Sequence, residues 1–299
     1  MRAAALLVVP LVACASGLDR ERGAEPSDAS AHDATASDAD GAAARVPTLR
    51  EGLALFFPLD ESGDSARMDR VSSVALVPWQ RTGFGQYAVD GRGTTAVAAA
   101  VSTGQHVLGS EGYHFATPST VELHHAGGSF TWAGWVSIDA PDTADPYTDP
   151  QTWLAKWNGI PDTFAPNDHR EYRVWYEQSP SRWRFEVSAD GLEGARHSRI
   201  VTHPASIERD QLYFLEAWHD AELATISLRI STRTERGTTA SESWSDGVFL
   251  GDADLDVGAQ NTCTDAHLQG IVDALGYWNR ALTDDESAAL WNAGVGLEL

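Results

Sequence analysis

Three carboxylates at alternate positions, Asp252, Asp254 and Asp256, stand out as residues that could do chemistry, because a chain curling around a hard cation brings such a set together. The pattern departs from the EF-hand calcium loop at two places. Val257 stands where glycine would make the turn, and Cys263 where the closing glutamate belongs. The plainer reading is a strand with Leu255 and Val257 inward and Asp254 and Asp256 toward water. His124, His125 and His169 invite a metal, but no third ligand is spaced to join them, so solvent-facing histidines are expected. The chain contains no His-Glu-x-x-His, no Gly-x-Ser-x-Gly and no Walker-type loop, so zinc peptidase, serine esterase and nucleotide chemistry lack their parts and no enzyme is expected.

Aromatic side chains carry the sharper expectation. Sugar rings present apolar C–H faces that stack on Trp and Tyr, while Asp, Asn and Arg hydrogen-bond the hydroxyls. Two long polar loops, 139–152 with Tyr147 and 158–170 with Phe164 and Asn167, could supply such contacts, as could Trp244 in a third polar stretch. The competing reading is structural: Trp135, Trp153, Trp157, Trp175, Trp218 and Trp278 lie in strand patterns, and most must be core.

The elements that must position these residues read as strands. Leu53 to Leu59 is an apolar run closed by the polar turn Asp60-Glu61-Ser62-Gly63. In Phe130 to Ile138, Phe130, Trp132, Gly134, Val136 and Ile138 share one parity and Trp135 takes the other, so one face is apolar throughout. Glu171 to Tyr176 and Trp183 to Ser188 flank Ser179-Pro180-Ser181 as a hairpin, and Tyr213 to Trp218 and Thr225 to Ile230 form another. Ile271 to Trp278 closes the sheet. Thr283 and Glu286 then make a capping box, with Asp284 and Asp285 in the first turn and Gly294 suited to the left-handed cap. Residues 71–117 give only weak strands.

Tyr213-Phe214-Leu215-Glu216-Ala217-Trp218-His219-Asp220, Gly270-Ile271-Val272-Asp273 and Trp278-Asn279-Arg280-Ala281-Leu282-Thr283-Asp284-Asp285-Glu286 together resemble the closing half of LamG-like, concanavalin A-like jelly rolls. The likeness runs from about Gly52 to Leu297 and is strongest from Phe130 onward. It implies an all-β fold, an antiparallel β-sandwich with one short C-terminal helix, over 47–299. It also implies a structural Ca2+ held by Asp273 with carbonyls of the first strand, Asp60 being the nearest acidic partner. The alternative for Asp273 is a hydrogen bond to a turn amide. Glycoside hydrolases of this fold place acids as Glu-x-Asp-x-x-Glu on one strand, and no such strand is present.

The N-terminus adds an address. Arg2, the apolar run Ala3 to Val12 and Leu11-Val12-Ala13-Cys14 resemble a bacterial lipoprotein signal with its lipobox, over residues 1–14, in which Cys14 takes the lipid. The run is too short to span a bilayer, which takes about 20 apolar residues. Residues 15–46 are rich in Ala, Ser, Asp and Gly without an aromatic residue, and read as a disordered tether. Cys14 and Cys263 are the only cysteines, so a lipidated Cys14 leaves no internal disulfide. A formal net charge of −22 excludes nucleic acid as a partner. Lys156 is the sole lysine, a bias that salt adaptation and genomic base composition explain equally.

These observations predict a cell-envelope module, anchored by its N-terminal lipid at the outer membrane or cell surface, serving recognition or adhesion of a polysaccharide or other glycan. A structural or protein-binding role toward another envelope protein is the second reading, and a glycan-cleaving jelly roll the third.

Overall fold

The computed structural model describes residues 49–59, 61, 66–82, 86–88, 94–97, 103–107, 113–125, 128–139, 150–158, 169–260, 266–294 and 296. Cys14, segment 15–46, Asp60, Tyr147, Phe164, Asn167 and Cys263 lie outside these residues, and so do the expectations placed on them.

The strands, in chain order, are β1 (Leu53–Phe57), β2 (Arg67–Met68), β3 (Ala75–Thr82), β4 (Gln86–Ala88), β5 (Thr94–Val97), β6 (Thr103–Val107), β7 (Tyr113–Thr117), β8 (Phe130–Ile138) and β9 (Gln151–Asn158). They continue with β10 (His169–Gln178), β11 (Ser181–Ser188), β12 (Ser198–Thr202), β13 (Leu212–Asp220), β14 (Thr225–Ser231), β15 (Thr239–Ser243), β16 (Leu255–Val257) and β17 (Gly270–Trp278). One short helix, α1 (Asp284–Trp291), follows. Every strand pairing is antiparallel, and the strands form two sheets. The first runs β15-β14-β13-β8-β17-β6-β5, with β1 also on β17. The second runs β12-β11-β10-β9-β16-β7-β3-β2, with β4 on β3. The weakly patterned stretch 71–117 thus supplies β3 to β7.

One apolar core joins the sheets. Phe130, Trp132, Val136 and Ile138 of β8 meet Trp153, Leu154, Tyr172, Val174 and Phe185 of the second sheet. Gly134 belongs to the same face for a steric reason: a Cβ there would stand 3.1 Å from the Trp153 ring. Trp135 points the other way, as its parity requires. It packs with Phe214, Trp278 and Leu290 beneath α1, its ring 5.1 Å from that of Phe214.

The helix begins as its sequence dictates. Thr283 Oγ1 accepts from the Glu286 amide, and Glu286 Oε2 accepts from the Thr283 amide at 2.9 Å. It ends differently from expectation. Asn292, at φ 47°, is the left-handed cap, since an asparagine tolerates that conformation, and Gly294 lies two residues further on at φ 82°.

Candidate ligand-binding groove

The outer face of the first sheet is divided in two by α1. The helix covers Trp135, Phe214 and Trp278, its entry and first turn close over Thr131 on β8 and Glu216 on β13, and it stops short of Trp218, which shares their parity. Register places them side by side, with Trp218 opposite Thr131, and Arg229 of β14 opposite Glu216. The result is an open groove of about 510 Å³, floored by these strands and walled by the β13–β14 turn and the N-terminal end of α1. That volume falls among those of small-molecule sites, roughly 300–1,000 Å³.

Each wall has a local cause. Asp220 Oδ1 accepts from the amides of Glu222 and Leu223, both at 3.0 Å, which bends the turn and presents Glu222 and Leu223 at the rim. Leu223 is 72% exposed there. On the opposite wall Thr131 Oγ1 donates to the Arg280 carbonyl at 2.9 Å and accepts from the Leu282 amide at 3.2 Å, which latches the helix entry to β8. The Arg280 guanidinium donates to both oxygens of Glu286 at 2.8 Å and to the Glu51 carbonyl at 2.8 Å.

Arg229 organises the floor. Its guanidinium lies 5.6 Å over the half-buried Trp218 ring and donates to Asp284 Oδ1 at 2.7 Å, to the Ser287 hydroxyl and to Thr239 Oγ1. Arg236 also donates to both oxygens of Asp284, at 2.7 and 3.0 Å. The Arg236 hydrogen bond is the largest influence on Asp284, and with the two guanidinium charges it holds that carboxyl at about 2, against the opposing effect of partial burial. Glu216 behaves in the opposite way. It is 1% exposed, and burial lifts its carboxyl above the ordinary glutamate range, although Ser287, Arg229 and Arg236 pull it down. Its Oε2 makes no hydrogen bond among the described residues, and the Arg229 guanidinium stands 3.6 Å away.

Parity along β13 carries this site, since Glu216, Trp218 and Asp220 all point outward while Leu215 and Ala217 join the core. Trp218 is therefore corrected from the strand-buried group to the groove. Trp244 moves the other way. It is 4% exposed within the core, and its indole N–H donates to the Gly247 carbonyl, so its ring has no face for a ligand.

A second polar cluster is internal. Lys156 and Glu171 are both fully buried, and Lys156 Nζ stands 2.7 Å from Glu171 Oε1, which also accepts from the Gly251 amide at 2.9 Å. Lys156 donates on to Ser119 Oγ at 3.1 Å. His125 Nε2 lies 3.5 Å from Glu171 Oε2. His125 is thus buried, whereas His124 is exposed and His169 pairs with Asp252 at 2.8 Å. The aspartate series behaves as a strand, with one correction: Leu255 and Val257 face the core, but Asp256 is buried, 3.4 Å from His114 Nε2, because β7 and β9 flank β16 on both sides. Trp157 and Trp175 sandwich the Arg173 guanidinium, each ring 4.4 Å away, and Glu186 and Glu193 neutralise it.

Asp273 is fully buried at the point where β17 exchanges β6 for β1 as neighbour. A bulge there puts Ala274 at φ 50°, and its amide donates to the Pro58 carbonyl at 3.3 Å. An acidic oxygen donor beside the end of the first strand suits Ca2+ in type. Among the described residues no group of three or more His, Cys, Asp or Glu is gathered for a metal.

Among the described residues, two antiparallel sheets with an apolar core between them and a short C-terminal helix define an antiparallel β-sandwich. No family model matches the chain, and no curated protein matches it in sequence. Solved structures share the fold. A Trypanosoma rangeli sialidase in complex with the inhibitor DANA aligns with TM-score 0.51 and 17% identity, over 84% of this chain and 36% of that one. The binding domain of botulinum neurotoxin serotype D/C aligns with TM-score 0.53 and 9% identity, over 81% and 52%. The botulinum neurotoxin DC binding domain in complex with rat synaptotagmin II aligns equally well, over the same shares. The chain therefore spans about a third of the sialidase and about half of the toxin domains.

Proposed function

We propose that this protein is a carbohydrate-recognition module of the LamG-like kind, and that its ligand lies in the groove floored by Trp218 rather than in the loops around Tyr147 and Phe164. The observation that carries this reading is a half-buried tryptophan ring set among Arg229, Asp220 and Glu222 in an open groove. An apolar ring face bordered by fixed polar groups is the arrangement that stacks a pyranose and hydrogen-bonds its hydroxyls. The sialidase neighbours, solved with sialic acid and its analogues, add a carbohydrate context to the shared fold without carrying a site across. A glycan array with the purified protein, followed by calorimetry on each hit, tests the assignment. Trp218→Ala is expected to weaken binding roughly tenfold or more. Binding unchanged in that variant, or no binding by the parent protein, refutes it.

The groove is read as binding without cleavage, because Glu216 is sheathed by Arg229 and Ser287 and Asp284 is committed to two guanidiniums. Labelled polysaccharide releasing product with the parent protein, and none with Glu216→Gln, would overturn that. The envelope address rests on the Leu11-Val12-Ala13-Cys14 signal. Cys14→Ala is expected to abolish lipid labelling and release the protein from membranes, and unchanged partitioning would remove the anchor. Asp273 completes the proposal as a ligand of a structural Ca2+.

A further inference from the structure

The groove's charges are unequal in availability, and that inequality bears on which sugar it takes. Its two guanidiniums are both paired with carboxylates of the protein. Arg229 spends its donors on Thr239, Ser287 and Asp284, and Arg280 spends its own on Glu286 and the Glu51 carbonyl. Neither offers the fork that recognises a ligand carboxylate. The carboxylates are less committed. Asp220 uses Oδ1 to hold the turn, Glu222 is exposed at the rim, and neither forms an ion pair among the described residues. Deeper in the floor Glu216 is closed off by Ser287 and by Arg229, 3.6 Å from its Oε2, so the accessible acceptors are those of the rim.

We propose that the groove is selective for amino sugars: a hexosamine ring stacks on Trp218, its ammonium is held by the rim carboxylates of Asp220 and Glu222, and carboxylated sugars are rejected. This rests on the carbohydrate reading of the groove and adds a charge preference to it. The ammonium supplies three donors to a site rich in acceptors. A carboxylated sugar meets two carboxylates, while the groove's guanidiniums are already paired with Asp284 and Glu286, on a molecule whose formal net charge is already −22.

Calorimetry of the purified protein with three probes tests the preference: a glucosamine oligosaccharide, its fully N-acetylated counterpart, and a sialylated trisaccharide. The glucosamine oligomer should bind about fivefold tighter than the acetylated one, as expected of two rim ion pairs, and the sialylated probe should bind weakest. Raising the salt to about 0.5 M should shrink the preference, since rim charges are screened. Asp220→Asn with Glu222→Gln should abolish it, so that the variant binds the glucosamine and acetylated oligomers with equal affinity. The asparagine keeps the acceptor that forms the turn, and Glu222→Gln alone, at an exposed position, should halve the preference if the double variant does not fold. Equal affinity for the glucosamine and acetylated oligomers, or tightest binding of the sialylated probe, overturns the charge selectivity and leaves the carbohydrate reading standing. No binding of any probe or of any array glycan overturns both.

Discussion

Replacing Lys156 by methionine should cost this protein more stability than almost any other single exchange outside the apolar core. The side chain is fully buried and makes a 2.7 Å ion pair with Glu171, which is equally buried. Methionine matches the stem and removes the charge, so the Glu171 carboxylate keeps the Gly251 amide and His125 but loses its cation. Removing one partner of such a pair costs about 3–5 kcal/mol, because the remaining charge stays out of water. For a chain of this size each kcal/mol lowers Tm by about 2–4 °C, so a fall of roughly 6–20 °C is expected. Glu171→Gln in the same molecule should restore most of the loss, since an uncharged pair carries no ionic desolvation cost. Urea unfolding of the parent, both single variants and the double variant closes the cycle. A single-variant cost below about 1 kcal/mol, or a double variant no better than the sum of its parts, would show that the pair is not the isolated buried charge described above.

Three further outcomes are expected. The Asp284 carboxyl is held at about 2, below its unfolded value, so its contribution is present above about pH 4 and is lost as pH falls through 2; Asp284→Asn should flatten acid unfolding in that window, and an unchanged slope would deny the arginine clamp. Gly134→Ala should lower stability by about 1–3 kcal/mol in thermal melts, because the added methyl meets the Trp153 ring at 3.1 Å in a closed core, and a neutral effect would mean that the ring moves freely. Adding a chelator should lower Tm if Asp273 holds Ca2+, with Asp273→Asn insensitive to it; no shift in the parent protein removes the metal.

Much of the fold is legible in strand alternation. The face shared by Phe130, Trp132, Val136 and Ile138 is the interior face, and the hairpins β10–β11 and β13–β14 fall where their turn residues place them. The groove is not legible in the same way, because alternation says which side a residue faces and not what lies over it. Trp135 and Trp218 both occupy the outer face of the first sheet. Only the docking of α1 decides that the former is covered and the latter open. Trp244 misleads for a related reason: its neighbours Ser243 and Ser245 are exposed, yet the Trp244 amide bonds to the Ala224 carbonyl and its ring turns inward. The internal charges are hidden too. Lys156 sits in a strand whose neighbours Ala155 and Trp157 are equally buried, and its partner lies on another strand, so no local pattern announces the pair.

The position of β17 has a consequence for how the chain comes into being. Among the described residues it is the last strand in chain order, yet it lies inside the first sheet, gripping β8 along one edge and β6 and β1 along the other. β1, β6 and β8 all come well before it in the sequence, so the first sheet has no centre until β17 is in place. Contacts of such sequence separation form slowly, and their loop-closure cost falls on the whole chain at once. Formation of the first sheet thus turns on one insertion, that of β17 between β8 on one side and β6 and β1 on the other.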